Sequence, residues 1–160
     1  MWPVVNVEWF EPGGGGPAIQ PHLTGDHDVA NSGWREYGNR EGIRRLADVF
    51  RSVGIPASAA VNADVCTRRP DALAVVLDAG WEVVGHGKNN SRGHAGMTRD
   101  QEVAAVAAAL DTLARATGRR PEGWLTPGFS VTPRTPEVLA ACDVRYTADV
   151  TDTDVPYVLE

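Results

Sequence analysis

Hydrophobic positions along this chain alternate between two rhythms. "PVVNVEWF" (3–10) is apolar and β-branched and stops at "EPGGGGP", where glycine and proline forbid regular structure. It reads as a first strand feeding a loop that stays polar to about Tyr37. Asn39 then stands where a helix cap belongs, because Ile43, Leu46, Ala47, Phe50 and Val53 recur at helical spacing up to Gly54. "IPASAAVN" (55–62) is a second strand. Pro70 opens a second helix with Leu73, Val76 and Leu77 on one face and Gly80 as its stop. "WEVVG" (81–85) is a third strand. Thr98 and Gln101 form a capping box before Val103, Val106, Ala107, Leu110, Leu113 and Ala114, a helix that closes at Gly118. "EGWLT" (122–126), a short helix from Thr135–Pro136 to Cys142, and "VRYTAD" (144–149) complete five strands, with "PYVLE" starting a sixth.

Strand alternating with helix at this pace predicts a parallel sheet with helices packed outside it, as a barrel or an open sheet. In both layouts chemistry gathers on the loops after the strands' carboxyl ends. Those loops carry Glu8 and Glu11, then Asn62 and Asp64, then His86, Asn90 and His94, then Thr126 and Gly128, then Asp149, Asp152 and Asp154. The sequence therefore places its polar residues on one face.

Composition narrows the partners. With 160 residues, 42% of them hydrophobic, one domain over 1–160 is expected. Fifteen basic against 21 acidic residues, net −6, leave no basic stripe for nucleic acid. No apolar run approaches the roughly 20 residues of a membrane span. "MWPVVNVEWF" has no basic leader region, so a cytoplasmic protein is expected. Two cysteines without CxxC spacing read as reduced thiols. "GGGG" at 13–16 is no phosphate loop, because Pro17 follows and no helix start receives a phosphate there. A nucleotide-binding α/β domain lacks its glycine fingerprint. The histidines of "GHGKNNSRGH" (85–94) invite a metal site, yet the usual close pairing is absent. His22 and His27 read as solvated loop histidines, Trp124 as core, and the three late aspartates as a solvated acidic turn.

"NVEWFEPGG" (6–14), "WREYGNREGIRRLADVF" (34–50), the stretch from "GIPASAAVN" to "GWEVVGHGKNNS" (54–91) and "GRRPEGWLTPGFSVTPRTPEVLA" (118–140), with "YTADVTDTDVPY" after it, resemble the polysaccharide deacetylase, or NodB-homology, family. The likeness is greatest to its allantoinase-like and cyclic-imide-hydrolase-like branch. The resemblance implies an α/β fold, a distorted (β/α) barrel, and hydrolysis of amide-type carbon–nitrogen bonds. Family members are longer, which implies a barrel incomplete at its C-terminus, with two strand–helix units missing and "LE" a cloning scar. The parallel edge so exposed favours a homo-oligomer.

In metal-using members the first motif is a pair of aspartates, one the catalytic base and the other a metal ligand. Glu8 stands in the base's place and Trp9 in the ligand's. The second motif is a histidine followed four residues later by another; here His86 is followed by Asn90. The resemblance thus implies Glu8, His86 and Glu11 as catalytic residues, with Trp9, Arg40, Asn90, Thr126, Gly128 and Asp149 against the substrate. No cofactor is expected; the alternative is zinc or another divalent metal held by His86, His94 and Glu8. The expected substrate is a small cyclic amide or ureide or an N-acetylated sugar. The competing expectation is a non-catalytic pocket-bearing fragment or binding module of the same fold.

Overall fold

The computed structural model describes residues 2–14, 28–153 and 155–159. Five parallel strands, β1 (Val4–Val7), β2 (Ser58–Val61), β3 (Glu82–Gly85), β4 (Gly123–Trp124) and β5 (Tyr146–Thr147), pair in sequence order. Because each strand lies beside the next one in the chain, right-handed crossovers put every helix on the same face. The edge of Trp2, ahead of β1, meets Tyr146 of β5 with ring centroids 5.6 Å apart, so the sheet curls until its outer strands approach. This is the α/β architecture expected, an open and curled parallel sheet rather than a closed barrel.

Helix α1 (Val29–Tyr37) runs through a π turn (Gly38–Gly42) into α2 (Ile43–Val53). Asn39 is therefore no cap: it is buried in mid-helix, and the cap lies earlier, where the Asp28 carboxylate accepts from the Asn31 amide at 3.1 Å. The polar composition of 29–37 conceals this first helix. A short α3 (Val65–Arg68) also went unanticipated, followed by α4 (Pro70–Asp78), α5 (Arg99–Thr117) and α6 (Thr135–Ala141). The capping box of α5 forms as expected: the Gln101 amide donates to the Thr98 hydroxyl at 3.4 Å and the Thr98 amide to the Gln101 side chain at 2.9 Å. Gly54 and Gly118 end α2 and α5 in left-handed conformation. Residues 155–159 form no sixth strand among the described residues.

Between sheet and helices lie Val7, Ile43, Val61, Val65, Val76 and Leu113 at one end and Val106, Leu110, Trp124, Val138 and Leu139 at the other. The concave face is thinner, with Ala60, Val84 and Leu125 at its centre. Leu46, Val53 and Leu77 keep helical spacing yet stay exposed. Cys66 and Cys142 are free thiols. Among the described residues no helix is long and apolar enough to cross a membrane.

Candidate functional site

Strand register brings the first polar residues together. Val7 pairs with Val61, and Val61 with Gly85, so the chain leaves all three strands at one height with Glu8, Asn62 and His86. His86 is held between two glycines that have little room for a side chain. A Cβ on Gly85 would sit 2.7 Å from the Trp124 ring; Gly87 has φ +65°, and a Cβ there would lie 2.4 Å from Pro127.

A chain of amides then converges on Glu8. The Trp9 backbone N–H donates to Asn62 Oδ1 at 2.9 Å, which turns the Asn62 Nδ2 toward Asn90 Oδ1 (3.0 Å) and the His86 carbonyl. With its oxygen so engaged, Asn90 donates Nδ2 to Glu8 Oε1 at 2.6 Å. Because a backbone N–H can only donate, this sequence fixes both asparagine orientations. From the helix side Asn39 Nδ2 donates to the Glu8 carbonyl at 2.8 Å, and the π turn supplies the extra residue that aims it inward.

His86 is 2% exposed, and its Nδ1 lies 2.6 Å from the Leu125 carbonyl. A carbonyl only accepts, so Nδ1 carries hydrogen and Nε2 faces Glu8 Oε1 at 3.2 Å. The Glu8 side chain is 24% exposed, so Glu8 alone of the pair meets solvent. It lines two clefts. One, of about 260 Å³, runs down β1 between Val5, Val7, Phe10, Trp34, Ile43 and Leu46. The other, of about 70 Å³, is bounded by Trp9, Phe10, Glu11 and Glu36. Asn39 and Arg35 line both, with the Arg35 guanidinium 4.1 Å over the Phe10 ring.

Glu11 accepts from Arg92 at 3.0 Å and Asn89 at 3.1 Å; the Arg92 guanidinium holds its carboxyl below the usual range. Asn89 also donates to Asp64 at 2.7 Å. Trp9 lines the smaller cleft and packs against the core, with Arg68 5.9 Å from its ring centroid. Arg40 is exposed in the π turn and borders neither cleft.

Thr126 and Asp149, expected beside Glu8, are paired elsewhere. Leu125 and Ala148 belong to the concave face, so the next residue on each strand points to the helix side. There Asp149 accepts from the Thr126 amide and hydroxyl at 2.7 Å each and from the Thr147 hydroxyl at 2.7 Å, and the Trp124 indole donates to Thr126 at 3.0 Å. Gly128 lies exposed in the following turn. His94 shares this side. It is 3% exposed, its ring 5.9 Å from Trp124 and its Nδ1 3.7 Å from the fully buried Glu102, whose carboxylate takes Thr135 at 2.6 Å and Thr132 at 3.1 Å. Burial lowers its pKa against the opposing pull of Glu102 and Asp149. His22, His27 and Asp154 lie outside the described residues.

Among the described residues the donor set does not fit a tetrahedral metal centre, which takes at least three protein ligands. Glu8 and His86 stand together, but His94 is turned to Glu102 on the other face. Among the described residues no three histidine, cysteine, aspartate or glutamate side chains converge on one point. Sequence reasoning missed Asn39 and Arg35 as neighbours of Glu8, and it placed Asn62 on the right loop without its role. For Asn62 the signal was position directly after a strand; for the other two, the helix carrying them went unread.

No curated protein matches the chain. Among solved structures it resembles PuuE allantoinase, with 26% identity, TM-score 0.79, and coverage of 98% of this chain and 55% of the other. It also resembles a probable polysaccharide deacetylase from Pseudomonas aeruginosa PAO1, with 24% identity, TM-score 0.79, and coverage of 98% and 56%. A CE4 family pseudoenzyme from Bacillus anthracis shares the fold at 13% identity and TM-score 0.65, over 92% of this chain and 42% of the other. The chain thus spans about half the length of the structures it matches. The family description for polysaccharide deacetylase matches residues 27–147, and the chain belongs to that family.

Proposed function

We propose that this chain carries the core of a hydrolase of non-peptide carbon–nitrogen bonds acting on a small cyclic amide or ureide in the cytoplasm, with Glu8 as general base. One observation carries the reading: a directed run of amides and a buried imidazole terminate on a single carboxylate that faces solvent at two clefts. Resemblance to an allantoinase at 26% identity supports the substrate class. In the reaction Glu8 takes a proton from water as the water oxygen bonds to the carbonyl carbon. The carbon–nitrogen bond then breaks and the nitrogen receives that proton, leaving a carboxylic acid and, on the nitrogen side, an amine from a cyclic amide or a urea from a ureide. His86 and Asn90 keep the carboxylate aimed. General-base assistance of this kind contributes about 10²–10⁴ in rate.

Hydrolysis of allantoin, hydantoin, succinimide and an N-acetylated sugar oligomer, each with and without chelator, tests the proposal. Turnover of a cyclic substrate that withstands chelation and is lost on Glu8→Gln is the expected result. Activity abolished by chelation and restored by zinc would replace it with a metal-dependent deacetylase. A folded chain that binds these compounds without turnover would leave the binding-module reading.

A further inference from the structure

The two ends of a side-chain amide are alike in shape and opposite in hydrogen-bonding sense, so packing alone does not decide which end faces a neighbour. At Asn62 two backbone groups decide it. The Trp9 N–H, which only donates, meets Oδ1 at 2.9 Å, and the His86 carbonyl, which only accepts, meets Nδ2. Asn62 is 0% exposed, and this double constraint leaves its other Nδ2 hydrogen for Asn90 Oδ1, 3.0 Å away.

Asn90 is held in place by other means. Its backbone N–H donates to the Trp9 carbonyl at 2.9 Å, and its buried neighbour Asn89 donates to Asp64 at 2.7 Å and to Glu11 at 3.1 Å. What remains for the Asn62 side chain to set is the direction of the Asn90 amide, not its position. With Oδ1 taken by Asn62, Asn90 offers Nδ2 to Glu8 Oε1 at 2.6 Å. The other groups at that oxygen stand farther off, His86 Nε2 at 3.2 Å and Asn6 Nδ2 at 3.4 Å. A hydrogen bond to a carboxylate is stronger than one between neutral groups. Turned about, Asn90 would set a carbonyl oxygen against the Glu8 carboxylate instead.

We infer that Asn62, one residue removed from Glu8 along this chain of bonds, is a positioning residue for it: through Asn90 it dictates that Glu8 meets an amide donor and not an amide oxygen. The value of this for turnover rests on the proposed hydrolysis; the direction of the relay does not. Asn62→Asp is the change that reverses it. Aspartate is nearly isosteric and still accepts from Trp9, but it presents only oxygen to Asn90. Asn90 then has a carboxylate at each end of its amide, and one of the two must meet its oxygen. Glu8→Gln resolves the conflict, because a glutamine can donate to the Asn90 oxygen while Asn90 Nδ2 turns to the new aspartate.

Chemical denaturation of the full chain, of Asn62→Asp, of Glu8→Gln and of the double variant tests this, with the set repeated on an Asn90→Ala background. Asn62→Asp is expected to lose stability, partly because the His86 carbonyl then faces oxygen, and Glu8→Gln to change little. Adding Glu8→Gln to Asn62→Asp should recover about tenfold in the folding equilibrium constant, as residues of one hydrogen-bonded network do, whereas a residue that only fastens strands would give additive losses. With Asn90→Ala the recovery should vanish. In the parent, nuclear Overhauser contacts should join the Asn90 side-chain amide hydrogens to the Glu8 γ-hydrogens. No recovery in the double variant, recovery that persists without the Asn90 side chain and so reflects charge repulsion alone, or an Asn90 amide without contact to Glu8 would overturn the inference. The cycle needs no substrate. Recovery alongside unchanged turnover in Glu8→Gln would therefore sink the hydrolysis and keep the relay, and turnover lost in Glu8→Gln without recovery would do the opposite.

Discussion

The ends of β1–β3 and of β4–β5 carry similar residues, a carboxylate beside hydroxyls or amides, and use them in opposite ways. Asp149 spends both oxygens on the Thr126 amide and hydroxyl and on Thr147, joining two strands of two residues each. Glu8 receives its partners on one oxygen, Oε1, from Asn90 and His86, and keeps a face toward solvent. Strand pairing there is four residues long, and the fastening beyond it falls to Asn62, which accepts from the Trp9 amide and donates to the His86 carbonyl, so the Glu8 carboxylate is not needed for it. Where the ladder is short, a carboxylate completes it; where the ladder is long, the carboxylate is left facing solvent.

Breaking Glu8 itself should affect turnover and leave stability nearly intact. Glu8→Gln is nearly isosteric and keeps an oxygen for Asn90, yet it cannot accept a proton. Loss of about 10²–10⁴ in kcat is expected, read from initial rates on whichever cyclic substrate is turned over. His86→Ala should be similarly inactive, and His86 is 2% exposed, so its loss also opens a cavity that a melting curve would register. Unchanged rates in Glu8→Gln would remove the site.

Breaking Asp149 should do the reverse. Asp149→Ala strands a buried hydroxyl and a backbone N–H at Thr126, which is 0% exposed. An unmade buried hydrogen bond costs about 1–3 kcal/mol, so the denaturant midpoint should fall while the KM for the cyclic substrate stays near that of the parent. A large KM increase with no loss of stability would place Asp149 against the substrate after all.

The contrast also marks how far the sequence could be read. Glycine stops and the Thr98 capping box located α2 and α5 because local chemistry alone sets them. Counting loops after strands brought Glu8, Asn62 and His86 to one height, as register requires. The same count mixed Thr126 and Asp149 into that set, since a one-residue offset sends a side chain to the other face of a pleated sheet and the strand ends were drawn too loosely to resolve it. Helix α1 stayed hidden for a different reason. Its buried residue is Asn31, and that of the π turn is Asn39, so both inward positions are polar and invisible to an apolar template. Arg35 went with them.

The smallest effect expected concerns His94, on the Asp149 side. Burial depresses its pKa below the ordinary value, so the folded protein holds it neutral while the unfolded chain takes up a proton near pH ~6.5. Between the folded and unfolded values the unfolded state binds more protons, and stability therefore rises with pH across that window. The contribution is complete above the unfolded value and is lost as pH falls below it. Each pH unit of this kind is worth at most about 1.4 kcal/mol, and the nearby Glu102 carboxylate opposes the shift. Chemical denaturation from neutral to mildly acidic pH should show the parent losing stability faster than His94→Gln, which cannot titrate. Parallel curves for the two proteins would mean that His94 titrates alike folded and unfolded, and a slower loss in the parent that it is charged in the folded state and paired with Glu102.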